Sequence, residues 1–275
     1  MMYLAKNGLA LAVALLMGAC QTRVTPITGR IQVNSVSGQS QNIQAALVYS
    51  QTLAREILSP DESQWIRTEE VLKNLVDAVN RYFTEIGEYE KTKSYNWEFN
   101  VVLNPEPNAM CFPGGKILVH SGLFDVATTD GQLAAVLGHE IAHALAEHIG
   151  ERITDAQTAQ VLTGVFAAGA MNDQQGAQLY AHLATIGMLL PHSRFQESEA
   201  DHIGMIIAAM AGYHPTHACD FWENMTAKNM ESGLLFMRTH PSREQRLKQL
   251  QALEPTVMPI YNLRLKELGV TNKKE

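Results

Sequence analysis

Cysteine is scarce. There are three in 275 residues, and one of them, Cys20, falls in an N-terminal leader, so Cys111 and Cys219 are the only pair left for a disulfide. Spacing alone does not supply the geometry such a bond needs, and two buried free thiols are expected. Aromatics are also sparse, at 7%, and no dense Lys/Arg stretch alternates with them. With a net charge of −7, this argues against nucleic acid as a partner. Long apolar runs are missing too. Residues 161–171 and 179–190 are apolar but are interrupted by polar residues 172–175, which disfavours a membrane span and favours a helical hairpin packed on the core. No internal repeat and no tetratricopeptide-like array is present. Charged residues make up only 18% against 46% hydrophobic, so the chain is globular, with one substantial domain and a sizeable core.

The first twenty residues stand apart. Lys6 is their only charge, residues 9–17 are uniformly apolar, and Gly18, Ala19 and Cys20 follow. A positive start, a short apolar segment and small residues before a cleavage point describe a secretory signal. Small residues running into a cysteine resemble a bacterial lipoprotein signal, which implies acylation of Cys20 and attachment to a membrane through lipid. Gln21 in the next position implies the periplasmic face of the outer membrane. Residues 21–41, rich in Thr, Ser, Gly and Gln, read as a flexible tether. Residues 42–275 read as a single folded domain.

Within that domain, helical periodicity is expected over residues 42–58 and 68–86. Residues 97–103, 108–112 and 116–120 have strand texture, with Pro113-Gly114-Gly115 as a turn between the last two. The expected class is mainly α with a small antiparallel sheet (α+β). Further helices are expected over residues 194–211, stopped by Gly212, over 216–230, and from His240 through Leu253, with residues 266–275 as a charged tail.

The stretch 133–147, LAAVLGHEIAHALAE, carries the chemistry. Leu133, Val136, Leu137, Ile141 and Leu145 recur at a helical period. His139 and His143, four apart, then share one face and converge on one point, with Glu140 beside them. Two imidazoles and an adjacent carboxylate are the H-E-x-x-H arrangement: nitrogen ligands for zinc, and a base for a water at the metal. One zinc ion per chain is expected. A catalytic zinc needs a third protein ligand and an open position. His148, five beyond His143, falls on another face and reads as a surface or capping residue. In residues 193–201, SRFQESEAD, Glu197 and Asp201 share a face, so Glu197 can bind the metal while Asp201 accepts the free N–H of His139. Glu199 is the competing ligand on another face. Arg194 is expected to pair with an acidic neighbour near Glu197.

HEIAH, SRFQESEAD and HPSREQRL in this order, preceded by NAMCFPGGKILVHSGL, resemble the gluzincin family of the HtpX heat-shock protease, the CAAX prenyl-protein proteases, BepA and LoiP. The likeness runs over residues 96–250 and is strongest to the LoiP-like lipoprotein subgroup. The resemblance implies a zincin-like metallopeptidase domain, with His139, His143 and Glu197 as ligands, Glu140 as general base and Asp201 supporting His139. It also brings His240 to the metal, either as a donor to the developing oxyanion or as a removable fourth ligand, with Arg246 behind it. Met110 and Cys111 depart from the family's usual strand sequence.

The reaction these residues suggest is zinc-dependent endopeptidase chemistry on unfolded or misassembled cell-envelope proteins. Substrate is expected to add as a strand along Asn108, Ala109, Met110 and Cys111. The rival expectation is a non-proteolytic chaperone or assembly factor for outer-membrane proteins, working with the outer-membrane assembly machinery.

Overall fold

The computed structural model describes residues 21–162, 193–227, 240 and 243–270. The leader, with its Cys20, and the hairpin expected over residues 161–190 fall almost wholly outside these.

Strands β1 (Gln21–Val24) and β2 (Ile31–Asn34) pair antiparallel, and helix α1 (Gly38–Leu53) follows, capped by the Ser37 side chain. The stretch read as a flexible tether is therefore structured. Its small and polar residues make turns and buried hydrogen bonds instead of a loose linker: Thr25, Gln32 and Asn34 are all buried.

Helix α2 (Glu62–Glu85) precedes a three-stranded sheet of β3 (Glu98–Val102), β4 (Ala109–Phe112) and β5 (Lys116–His120). The sheet order is β3-β5-β4, and it is mixed. β4 runs antiparallel to β5, as expected, but β3 runs parallel to it. β5 is buried along its whole length because both faces of the sheet are covered. Its alternate residues Ile117 and Val119 join Val101, Ala109 and Cys111 in the main helical core, while Leu118 joins Val102 and Phe112 beneath α1. The turn from β4 to β5 requires glycine. Gly115 has φ +87°, and a β-carbon there would lie 2.7 Å from the Trp97 ring.

Helix α3 (Asp130–Leu145) starts at a capping box. Thr129 accepts from the Gln132 backbone N–H, and the Gln132 side chain reaches back to the backbone of Thr129. α3 is buried on nearly every side, which explains its apolar sequence. Helix α4 (His148–Leu162) begins after a sharp break. Helix α5 (Arg194–Ala211) is capped by Ser193 and stopped by Gly212 at φ +99°, as its sequence signals require. Helices α6 (His217–Ala227) and α7 (Arg243–Glu267) complete the fold. α7 runs well past Leu253, through Pro255 and Pro259, because Leu250, Val257 and Leu265 are buried against the rest of the domain. Among the described residues, no helix is long and apolar enough to cross a membrane. Cys111 and Cys219 are buried free thiols.

Candidate metal centre

Two glycines set the site. α3 and α5 cross where Gly138 faces Gly204, and a β-carbon on Gly204 would sit 3.0 Å from the Gly138 carbonyl carbon. Close approach of the two backbones lets the first turn of α5 deliver Glu197 to the imidazoles of α3. Glu197 Oε1 lies 3.3 Å from His143 Nε2, and Oε2 lies 3.6 Å from His139 Nε2. The two Nε2 atoms are 3.0 Å apart. His240 completes the cluster, with Nδ1 3.0 Å from each Glu197 oxygen and 3.3 Å from His139 Nε2. Ligand atoms of His139, His143, Glu197 and His240 all lie within 4.8 Å of one another, and all four residues are buried.

Such crowding asks for a cation. Burial and the Arg246 charge oppose a proton on His139, yet Asp201 and Glu197 hold its pKa up at about 9, so the pocket favours a positive charge at that point. Burial alone would raise Glu197, but His240 and Arg246 hold it well below the carboxylate range. Three imidazoles and one carboxylate are a donor set that suits zinc. Glu140 gives the second sign. It is buried, its Oε1 has no hydrogen-bond partner among the described residues, and His240 Nε2 lies 3.4 Å from it. Burial raises its pKa, offset in part by His240 and His139. That is a carboxylate waiting for a water.

Asp201 and Arg246 stand behind the ligands. Asp201 Oδ1 is 3.0 Å from His139 Nδ1 and so takes its proton, leaving Nε2 bare. Arg246 grips Asp201 with two bonds of 2.8 and 2.6 Å and Glu197 with a third of 2.6 Å. Its guanidinium lies 4.4 Å from the Trp222 ring centroid.

His148 is not a surface residue. It is wholly buried, with Nδ1 2.7 Å from His143 Nδ1 and Nε2 3.1 Å from Glu199 Oε2. A straight helix would have carried it to another face, but α3 ends at Leu145 and Glu147 takes φ +51°, which swings the next turn back. Glu199 is turned from the metal group toward His148 and the β1–β2 hairpin. Arg194 is exposed; the guanidinium on Glu199 is that of Arg30 in the hairpin, and the one on Glu197 is that of Arg246. Nothing in residues 21–41 signals these contacts, since their partners lie more than a hundred residues away. Ala109–Cys111 lie on β4, one of the sheet's two outer strands, and Asn108 immediately precedes it.

A short mixed sheet, a helix bearing H-E-x-x-H and a glutamate from a second helix closing on both imidazoles make a zincin-like fold with a candidate zinc site. The chain belongs to peptidase family M48, whose model matches residues 69–254.

Similar proteins include the mitochondrial metalloendopeptidase OMA1 of Schizosaccharomyces pombe, 38% identical over 64% of this chain and 52% of its own length. OMA1 of Saccharomyces cerevisiae is 31% identical over 75% of this chain and 61% of its own. The β-barrel assembly-enhancing protease of Escherichia coli is 30% identical over 64% of this chain and 40% of its own. The chain thus spans about half to three-fifths of the yeast relatives. The mitochondrial relatives, at up to 38% identity against 30% for the bacterial one, overturn the expectation of a periplasmic, outer-membrane location.

Proposed function

We propose that this chain uses zinc held by His139, His143 and Glu197 to hydrolyse peptide bonds in unfolded or misassembled polypeptides. The observation that carries the reading is the orphaned, buried Glu140 Oε1 beside a four-ligand cluster. Zinc at that point supplies Lewis acidity to a water and to the substrate carbonyl. Glu140 takes the water's proton as the oxygen attacks the carbonyl carbon, then hands it to the leaving nitrogen. Its burial-raised pKa suits both transfers. Asp201 fixes the His139 tautomer, and Arg246 holds Asp201 and Glu197 in place.

β4 is an outer strand of the sheet among the described residues, so its unpaired backbone groups offer an extended substrate a register for strand addition. Backbone pairing is indifferent to most side chains, and an unfolded segment meets that requirement where a folded one does not. His240 sits at the fourth corner of the ligand group. With zinc bound, His240 would be a fourth protein ligand and would leave no place for a water, so it would hold the enzyme latent until it moved aside.

Zinc content measured alongside cleavage of casein tests the reading. One zinc per chain is expected, with cleavage lost by at least ~100-fold in Glu140→Gln, which keeps the metal. Casein left intact by both wild type and His240→Ala would overturn it in favour of a chaperone that holds clients without cutting them.

A further inference from the structure

The buried pair His148 and Glu199 is used by none of the steps above, yet it touches a zinc ligand on one side and the N-terminal hairpin on the other. His143 faces Glu197 through Nε2 and has only Nδ1 left for a partner. Nδ1 meets Nδ1 of His148 at 2.7 Å, and His148 Nε2 meets Glu199 Oε2 at 3.1 Å. With Glu199 ionised, His148 neutral and a cation held between His143 Nε2 and Glu197, only one direction of donation satisfies every atom. His148 must give its Nε2 proton to Glu199, its Nδ1 must then accept, and His143 must donate from Nδ1. That leaves His143 Nε2 bare and aimed at the metal group. Reversing the row would set a bare nitrogen against a carboxylate.

Glu199 is itself held by the hairpin. Arg30 Nε reaches Oε2 at 2.8 Å, while the Thr28 and Thr25 hydroxyls donate to Oε1 at 2.6 and 3.0 Å. A second set of hairpin contacts braces the bend that presents His148. Arg23 pairs with Glu147, and Asn34 Nδ2 donates to the same carboxylate at 3.1 Å. A glutamate at positive φ is costly backbone, and it persists only when its surroundings hold it.

We propose that His148 is the positioning residue of zinc ligand His143, set in its working tautomer by Glu199 and, through Glu199 and Glu147, by the β1–β2 hairpin. The hairpin is therefore part of the metal centre, although none of its side chains reaches the metal group. This rests on zinc being held at His139, His143 and Glu197.

The test is zinc affinity of the full chain, by chelator competition, for wild type, His148→Leu, His148→Gln, Glu199→Gln and Arg30→Met. Absorption spectra of the cobalt-substituted forms are taken in parallel. Removing a partner of a metal-bound histidine weakens affinity about 10- to 100-fold, and that loss is expected for His148→Leu and Glu199→Gln. A smaller loss is expected for His148→Gln, whose amide oxygen can still accept the His143 proton, and a measurable one for Arg30→Met, which touches no ligand. The cobalt bands should shift in the same order, which a purely structural role would not produce. Should His148→Leu fail to fold, the other three variants decide. Wild-type affinity and cobalt spectrum in Glu199→Gln and Arg30→Met would overturn the proposal while leaving the peptidase reading intact. A wild-type chain without zinc would overturn both.

Discussion

A β-carbon on Gly204 would lie 2.8 Å from the backbone nitrogen of His139. The two helices that supply the ligands therefore touch backbone to backbone at the first zinc histidine, and their separation fixes the distance from Glu197 to both imidazoles. Gly204→Ala should push α5 off α3. Overpacking of this kind costs about 1–3 kcal/mol, and because the displaced element carries Glu197 and Asp201, zinc affinity should fall as well. Denaturant unfolding and metal analysis on one sample check this. An alanine variant with wild-type stability and zinc content would show that the helices can slide without disturbing the site.

Arg246 bonds both Asp201 and Glu197, and all three are buried. Arg246→Met takes the guanidinium from both carboxylates at once, and breaking a buried pair from one side costs about 3–5 kcal/mol. The variant should melt well below wild type, and zinc should recover part of the difference by supplying the missing positive charge. A thermal scan with and without zinc reads both effects.

His240→Ala separates its two possible roles by the sign of the change. Removal of a latching fourth ligand opens a coordination position, so casein cleavage should rise. Loss of an oxyanion donor should instead lower cleavage by about 100- to 1,000-fold. Initial rates on zinc-loaded wild type and variant distinguish these, and the geometry at Glu197 favours the rise.

Docking of the hairpin should depend on acid. Burial raises the Glu151 carboxyl, but hydrogen bonds from Arg30 and Gln196 outweigh it and hold the pKa below the usual value. A depressed carboxylate stabilises the fold above its unfolded pKa, about 4.3, and that contribution disappears as pH falls through the folded value. Residues 21–34 should therefore be protected from hydrogen exchange near neutrality and lose protection below about pH 4. Glu151→Gln should lower protection at neutral pH and flatten its fall in acid. An unchanged profile in that variant would assign the acid response to Glu199, the hairpin's other carboxylate partner held below its usual pKa.

Much of the site was legible in the chain because helical spacing is a local property. His139 and His143 share a face whatever packs around them, and so do Glu197 and Asp201. The stop at Gly212 was equally local. His148 was misread because the reading extended α3 past its end. One residue in the left-handed region, Glu147, redirected the chain and turned a surface position into a buried one. The tether was misread for a different reason. Thr25, Thr28 and Arg30 have unremarkable composition, and their partner Glu199 lies about 170 residues away.

Sequence by itself determined which atoms could hold a divalent ion and which carboxylate could serve it as a base, because residue type and helical period need nothing beyond the segment itself. Only the tertiary structure decided that β3 runs parallel to β5, that His148 turns inward, and that the N-terminal hairpin reaches the metal group through Glu199 and His148. Those arrangements come from minimising buried, unpaired polar groups across the whole chain, a condition that no single segment carries.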